Sequence, residues 1–473
     1  MKREDLLSKI SDPSKVWDVV VIGGGATGLG VAVDAVTRGY SVALFEWEDF
    51  AKATSSRSTK LVHGGVRYLA QGDVSLVLEA LYERGLLQQN APHLVKNQSF
   101  LIPNYRYWDN FLYTVGLTIY DILAGRLSLG RSKYVSKKKT TSYLPTVRVD
   151  GLKGGVVYHD GQFDDSRLAV NLAQSCVENG GCPINRMKVT AILHGSDGRA
   201  RGVKVQDLMN GQEYEVKAKA VINATGIFVD SIMEMDVPTH EHMVKPSQGV
   251  HLVLDKSFLQ SDYAIMIPKT DDGRVLFAVP WHDKVVVGTT DTLREHPELE
   301  PQALESEIEF ILNTAGRYLT RKPQRSDVLS VFAGLRPLAA PKKEGKSTKE
   351  ISRSHKIFVS ENKLITITGG KWTTYRRMAE DTVDKAIELN LLEKKACVTK
   401  KFRIHGYQLN PDLNNHLYIY GSDIQAIKTL MQSDPAMAEK LHPKYDYTVA
   451  EVVWAVREEM ALNVEDILAR RVR

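Results

Sequence analysis

Apolar and polar positions alternate in three textures along the chain. Near the start, Val19 to Ile22 form an unbroken apolar run that stops at glycines, in VWDVVVIGGGATGLG, Val16 to Gly30. Such a run suits a strand buried on both faces and closed by a tight turn. Val31, Ala32, Ala35 and Val36 then repeat at helical spacing, Gly39 can end the helix, and YSVALFE reads as a second buried strand. From Met187 to Gly226 the texture is a meander: RMKVTAILHG, a turn at SDGR, GVKVQDL, an Asn210-Gly211 hairpin, and EYEVKAKAVINATG. From Gly249 to Asp291, short alternating strands (HLVL, AIMIP, GRVLFAVPW, KVVVGTTDT) are punctuated by Asp272-Gly273 and His282-Asp283, which predicts a mostly antiparallel sheet. KLITITGGKWTTYRRMAEDTVDKAIEL repeats the opening order of strand, glycines and helix, and beyond about Lys400 the pattern is helical and charged.

The glycines give this pattern its chemistry. Gly23, Gly25 and Gly28 have G-x-G-x-x-G spacing: one for the turn, one for backbone approach to a pyrophosphate, one for close helix packing. Unpaired N–H groups of Ala26 and Thr27 at the helix start would face phosphates, and Glu46 ends the second strand where a βαβ dinucleotide fold places the acid for ribose hydroxyls. The alternative is a glycine-rich turn with an ordinary surface glutamate. NATG, with Thr225 and Gly226, can form a second wall of the same site. At GGKWTT, Thr373 or Thr374 can cap a helix whose positive end suits the negative charge of a reduced flavin.

At 473 residues and 43% apolar content the chain can hold two or three domains. The N-terminal stretch MKREDLLSKISDPSKVW has no apolar segment of a secretory signal, and FLYTVGLTIYDILAG is too short, and broken by Asp121, to span a bilayer. Three cysteines, Cys176, Cys182 and Cys397, lie in no metal-ligand spacing, are too few for a disulfide framework and fit a reducing cytoplasm; no metal site is expected. The net charge of +5, without a basic run interleaved with aromatics, argues against nucleic acid. Arg126, Arg131, Lys133, Lys137, Lys138 and Lys139 follow the oily YWDNFLYTVGLTIY, a combination that suits a peripheral membrane surface or else an ordinary helix and solvated loop.

VVVIGGGATGLG, SSRSTKLVHGGVRYL, NATGIFVDSI, SQGVHLVL, GTTDT, AGLRPL and GGKWTTYRRMAED, in this order and at these separations, resemble the FAD-dependent glycerol-3-phosphate dehydrogenase family from about Trp17 onward. The resemblance implies an α/β chain. Its parts would be a Rossmann-like FAD-binding domain of the two-dinucleotide-binding type (16–93, 151–248 and 355–395), a mostly antiparallel substrate domain (94–150 and 249–354) and a helical C-terminal cap (396–473). It also implies oxidation of sn-glycerol 3-phosphate to dihydroxyacetone phosphate by hydride transfer from C2 to flavin N5, with electrons passed to a quinone, or to oxygen in the related oxidases. The oxidases are often marked by a substrate-domain insertion that is not evident here, which favours a dehydrogenase. Family members commonly continue past the position of Arg473, and EDILARRVR reads as mid-helix, so the cap is expected to be incomplete.

By the same resemblance, Arg67, Tyr68, His251, Arg336, Arg353 and Lys371 match substrate-site positions, with His251, Arg336 and Lys371 as catalytic candidates. Arginine offers phosphate a planar charged fork, and histidine titrates near neutrality, as a base for the C2 hydroxyl requires. Ser58, Thr59, Lys60, His63 and Gly64 would run along the cofactor, with Val189, Gly369, Gly370, Lys371 and Thr373 contributing from other strands. Membrane attachment on the inner face of the cell membrane and a homodimer stay open. Two other functions also stay open: a flavin oxidase acting on an amino or 2-hydroxy acid, and a non-catalytic flavin-binding scaffold.

Overall fold

The computed structural model describes residues 1–70, 72–268, 270, 273–339 and 355–472, apart from the side chains at 67 and 70. Two sheets organise it. In the first, the strands Ile365–Thr368, Glu213–Asn223, Val16–Ile22, Val42–Phe45 and Cys182–Ile184 lie side by side and parallel, with Lys356–Val359 antiparallel on one edge. Val19 to Val21 are fully buried, as their apolar run predicts for a strand covered on both faces. The helix Ala26–Thr37 covers one face, where Gly30 lies against Tyr375 of the helix Tyr375–Glu388.

The strand Glu213–Asn223 belongs to two structures at once. Its first half pairs antiparallel with Ala200–Asp207, which pairs in turn with Met187–His194, so the expected meander is present. Its second half pairs parallel with Val16–Ile22, matching Ile22 with Asn223. That register sets the first glycine turn beside NATG at the carboxyl ends of the strands, where open α/β sheets bind ligands.

The second sheet is antiparallel among the described residues except where Ala264 and Ile265 pair with Phe100 and Leu101. It includes Val244–Asp255, Ala264–Ile267, Leu276–Trp281, Lys284–Gly288 and Val328–Ala339, with the helix Glu305–Gly316 against it. Two expected boundaries are corrected. Gly154–Phe163 and Leu61–Val62 pair with each other in this second sheet, not in the first, and the sheet takes up the chain at Val244 rather than 249. Gly154–Phe163 is buried along nearly its whole length, and a doubly buried run carries no mark of which sheet it joins.

The helices Ile424–Ser433, Val449–Glu458 and Val464–Arg470 pack with the first core through Ile427, Ala450 and Met460. EDILARRVR is not mid-helix: the helix ends at Arg470, Arg471 N–H bonds back to Ile467, and both arginines are buried. The oily stretch forms the helix Tyr107–Ala124, with Trp108, Phe111 and Ile122 more than half exposed on its outer side. No described helix is long and apolar enough to cross a membrane.

Candidate active site

Between the two sheets lies a cavity of about 770 Å³, within the ~300–1,000 Å³ typical of small-molecule sites. Its first wall is the glycine turn. Gly23 has φ +105°, a left-handed value that glycine adopts without strain. A Cβ on Gly28 would lie 1.9 Å from the Gly23 carbonyl oxygen, so Gly28 serves helix packing and does not itself line the cavity. Gly25, Ala26 and Thr27 do line it; Gly25 is the N-cap and has no side chain to cap with, but the Ala26 N–H, expected to be unpaired, donates to Ser55 Oγ at 3.0 Å, because the loop after the second strand folds back over the helix start. Glu46 accepts hydrogen bonds from Gly24 N–H at 2.6 Å and Glu48 N–H at 2.7 Å. Burial pushes its carboxyl up to about 7, against these two bonds, which lower it.

The remaining cofactor candidates divide. Ser58, Thr59, His63 and Val189 line the cavity, as do Thr225 and Gly226 from the second strand end. Gly369, Gly370 and Lys371 close it from the third, and Thr373 Oγ1 accepts the His63 N–H at 3.2 Å. Lys60 departs from expectation: its buried ammonium sits 3.0 Å from both Asp165 oxygens, drawn into an ion pair instead of the cavity. Gly64 also lies outside the cavity lining, with its N–H donated to Tyr120 Oη at 2.7 Å. Thr374 is the N-cap of the helix Tyr375–Glu388, yet its hydroxyl donates to Lys371 O at 3.3 Å and does not cap.

The opposite wall carries the candidate chemistry. His251, on the strand Val244–Asp255, is 2% exposed and stacks on Phe332 with centroids 4.8 Å apart. Its Nε2 lies 2.8 Å from Thr59 Oγ1, while Nδ1 is buried with no hydrogen-bond partner. Burial, helped by the positive charges of Arg336 and Lys60, holds its pKa down at about 3, so the ring is neutral at pH 7. Arg336 donates to Thr289 Oγ1 at 3.0 Å and lies 3.6 Å from Asp291, which also accepts from Ser247. Tyr68 comes from the short helix Val66–Ala70, and Lys371 Nζ lies 4.0 Å over its ring. Arg353 falls outside the described residues, as does the side chain of Arg67.

Several contributors carried no sequence signal strong enough to single them out. Trp47 and Phe228 meet edge to face at 6.0 Å in the cavity wall, with Lys188 Nζ 5.0 Å over Trp47. Trp372 Nε1 donates to Ser55 O at 2.8 Å, tying the third glycine turn to the loop after the second strand. The GTTDT motif supplies Thr289 and Asp291 as the holders of Arg336.

These features fit FAD. The glycine turn, the start of the helix Ala26–Thr37 and Glu46 line the cavity together with the aromatic Trp47, Phe228 and Phe277 and with His251 and Arg336, a set that suits a long ligand with a pyrophosphate, a ribose and a flat ring.

A family model for FAD dependent oxidoreductases matches residues 18–376, and one for the C-terminal domain of alpha-glycerophosphate oxidase matches 361–473. The chain is 39% identical to a probable mitochondrial glycerol-3-phosphate dehydrogenase of Caenorhabditis elegans, over all of this chain and 69% of that protein. It is likewise 39% identical to the mitochondrial glycerol-3-phosphate dehydrogenase of Schizosaccharomyces pombe, over all of this chain and 82% of that protein. Among solved structures, the glycerol-3-phosphate dehydrogenase of Bacillus halodurans complexed with FAD superposes with a TM-score of 0.79 at 30% identity, covering 99% of this chain and 88% of that one. The chain therefore belongs to the FAD-dependent glycerol-3-phosphate dehydrogenase family.

Proposed function

We propose that the chain oxidises sn-glycerol 3-phosphate to dihydroxyacetone phosphate, with Arg336 holding the phosphate and His251 taking the C2 hydroxyl proton. Bound FAD supplies the hydride acceptor. The observation that carries this reading is that one wall of the cavity holds both an imidazole oriented by Thr59 and a guanidinium fixed by Thr289 and Asp291. A guanidinium already held in place loses little freedom when it grips a phosphate. Thr59 orients the ring through Nε2, and because a value of about 3 makes the imidazole a weak base at pH 7, the negative charge that the substrate phosphate brings to Arg336 must raise the ring's proton affinity before the C2 hydroxyl proton moves to it. Lys371 stands at the start of the helical segment that opens at Trp372, where its charge favours negative charge on the substrate oxygen or the flavin carbonyl. Tyr68 beneath it limits its reach, and Arg67 and Arg353 add positive charge by the family pattern.

A quinone as acceptor and attachment to a membrane surface belong to the same proposal. The outward apolar side of Tyr107–Ala124 and the exposed cations Arg126, Lys133 and Lys137 support attachment by one amphipathic face and a basic patch. The deciding experiment is anaerobic: glycerol 3-phosphate added to the FAD-loaded protein should bleach the flavin band, and a quinone analogue should restore it faster than oxygen does. A band that persists overturns the substrate assignment, and faster recovery with oxygen overturns the acceptor.

A further inference from the structure

The loop from Glu46 to Lys52 grips the glycine turn three ways. Glu46 accepts the Gly24 N–H, Ala51 N–H donates to the Gly24 carbonyl at 3.0 Å, and the Phe50 ring packs where a Gly24 side chain would otherwise stand. Asp49 lies between these contacts but does not line the cavity. Its carboxylate is 0% exposed and is met by residues from the far end of the chain: Arg470 Nε at 2.6 Å, and Arg471 through two nitrogens at 2.9 and 3.0 Å. Asn185 adds a fourth donor at 3.2 Å. Burial alone would raise the Asp49 pKa, and the two arginines outweigh it and hold the group below its usual value.

The neighbours of Asp49 repeat the arrangement. Glu48 pairs with Arg186 at 2.5 Å, and Arg186 reaches Asp466 at 2.7 Å; Lys52 lies 3.2 Å from Glu465. The charged residues of the loop at 48, 49 and 52 are thus each tied to the segment 464–472, directly or through one arginine. Both terminal arginines keep other partners: Arg470 has Asp466 and Glu465, and Arg471 donates to the Glu459 carbonyl. Asp49 is therefore not needed merely to keep those cations from being stranded.

We propose that the segment 464–472 is a positioning element of the dinucleotide site: by locking Asp49 it holds Glu46 and Gly24 in the geometry that receives the ribose and pyrophosphate of FAD. Docking of this segment and binding of FAD are then one coupled equilibrium, and each strengthens the other by the same factor. The inference rests on FAD occupying the cavity, which the absorption bands of the titrated wild type report independently.

Hydrogen exchange on the full chain, with and without FAD, tests the coupling. FAD should slow exchange at 464–472 while leaving the second-sheet helix Glu305–Gly316 unchanged. Asp49→Asn should weaken FAD binding by about tenfold or more, within the usual range of coupling factors, and erase the FAD-dependent protection of 464–472. The FAD-saturated variant should keep its KM for glycerol 3-phosphate, since Asp49 does not line the cavity. Wild-type exchange at 464–472 that ignores FAD overturns the proposal, as does an Asp49→Asn protein that binds FAD as tightly as the wild type. Should that variant not fold, the wild-type exchange result decides alone.

Discussion

At the residue scale, the strongest constraint is the one Gly28 obeys. With the Gly23 carbonyl oxygen 1.9 Å from any added Cβ, Gly28→Ala must push the helix away from the turn, and the protein should purify without the yellow flavin colour. Arg336 depends on fork geometry as well as charge, so Arg336→Lys should raise KM for glycerol 3-phosphate by more than about tenfold with a smaller change in kcat. Unchanged kinetics would remove Arg336 from the phosphate site. His251→Gln should lower kcat without releasing FAD. The wild-type rate should also lack an acid limb near the ordinary histidine value of ~6.5, because this ring stays neutral down to about 3. A limb at 6.5 that disappears in His251→Gln would contradict the burial argument. The glycine spacing and Glu46 were legible because their chemistry is local. Lys60 was misleading because its partner, Asp165, is over a hundred residues away, and a lysine in a polar stretch shows no sign of a carboxylate that only folding brings near.

At the scale of elements, strands were easy to find and hard to allocate. Periodicity marked the meander and the alternating strands of the second sheet, but the partner of Gly154–Phe163 is fixed by tertiary pairing with Leu61–Val62 and Val95–Asn104. The helix Tyr107–Ala124 was visible as an oily stretch, and its outward face became plain only with the burial of Leu117 and Tyr120 on the inner side. Replacing Trp108 and Ile122 together by Asp should abolish flotation with anionic vesicles while leaving the rate with a soluble acceptor within about twofold, because surface substitutions seldom disturb the fold. Loss of both flotation and rate would tie this helix to the fold instead.

For the whole molecule, the buried titratable groups set a pH window. His251 and His93 are held neutral by burial, at about 3 and about 4, whereas each binds a proton at ~6.5 once unfolded. The stability they contribute is full above ~6.5 and falls as pH drops toward their folded values. Glu46 runs the other way: its folded value near 7 exceeds the unfolded ~4.3, so its contribution is present in acid and lost as pH rises through 7. His405, raised to about 9 by Asp423 and Glu178 in spite of burial, adds stability that is full below ~6.5 and is lost as pH climbs from there to about 9. Two histidines outweigh one glutamate between ~4.5 and ~6.5, and above ~6.5 Glu46 and His405 both lose their contributions, so Tm should pass through a maximum near pH ~6.5, with the acid slope flattened in a His93→Gln variant that folds.

The central strand Glu213–Asn223 lies between Val16–Ile22 and Ile365–Thr368 in one parallel array. A nascent chain emerging from the ribosome therefore makes its glycine turn early but cannot finish the surface around it until some 340 residues more have been synthesised. One edge of the N-terminal strand is covered early by Val42–Phe45, but its other edge has no neighbour until Glu213–Asn223 has been made, about 190 residues later, and through that interval an apolar strand edge is open to mispairing.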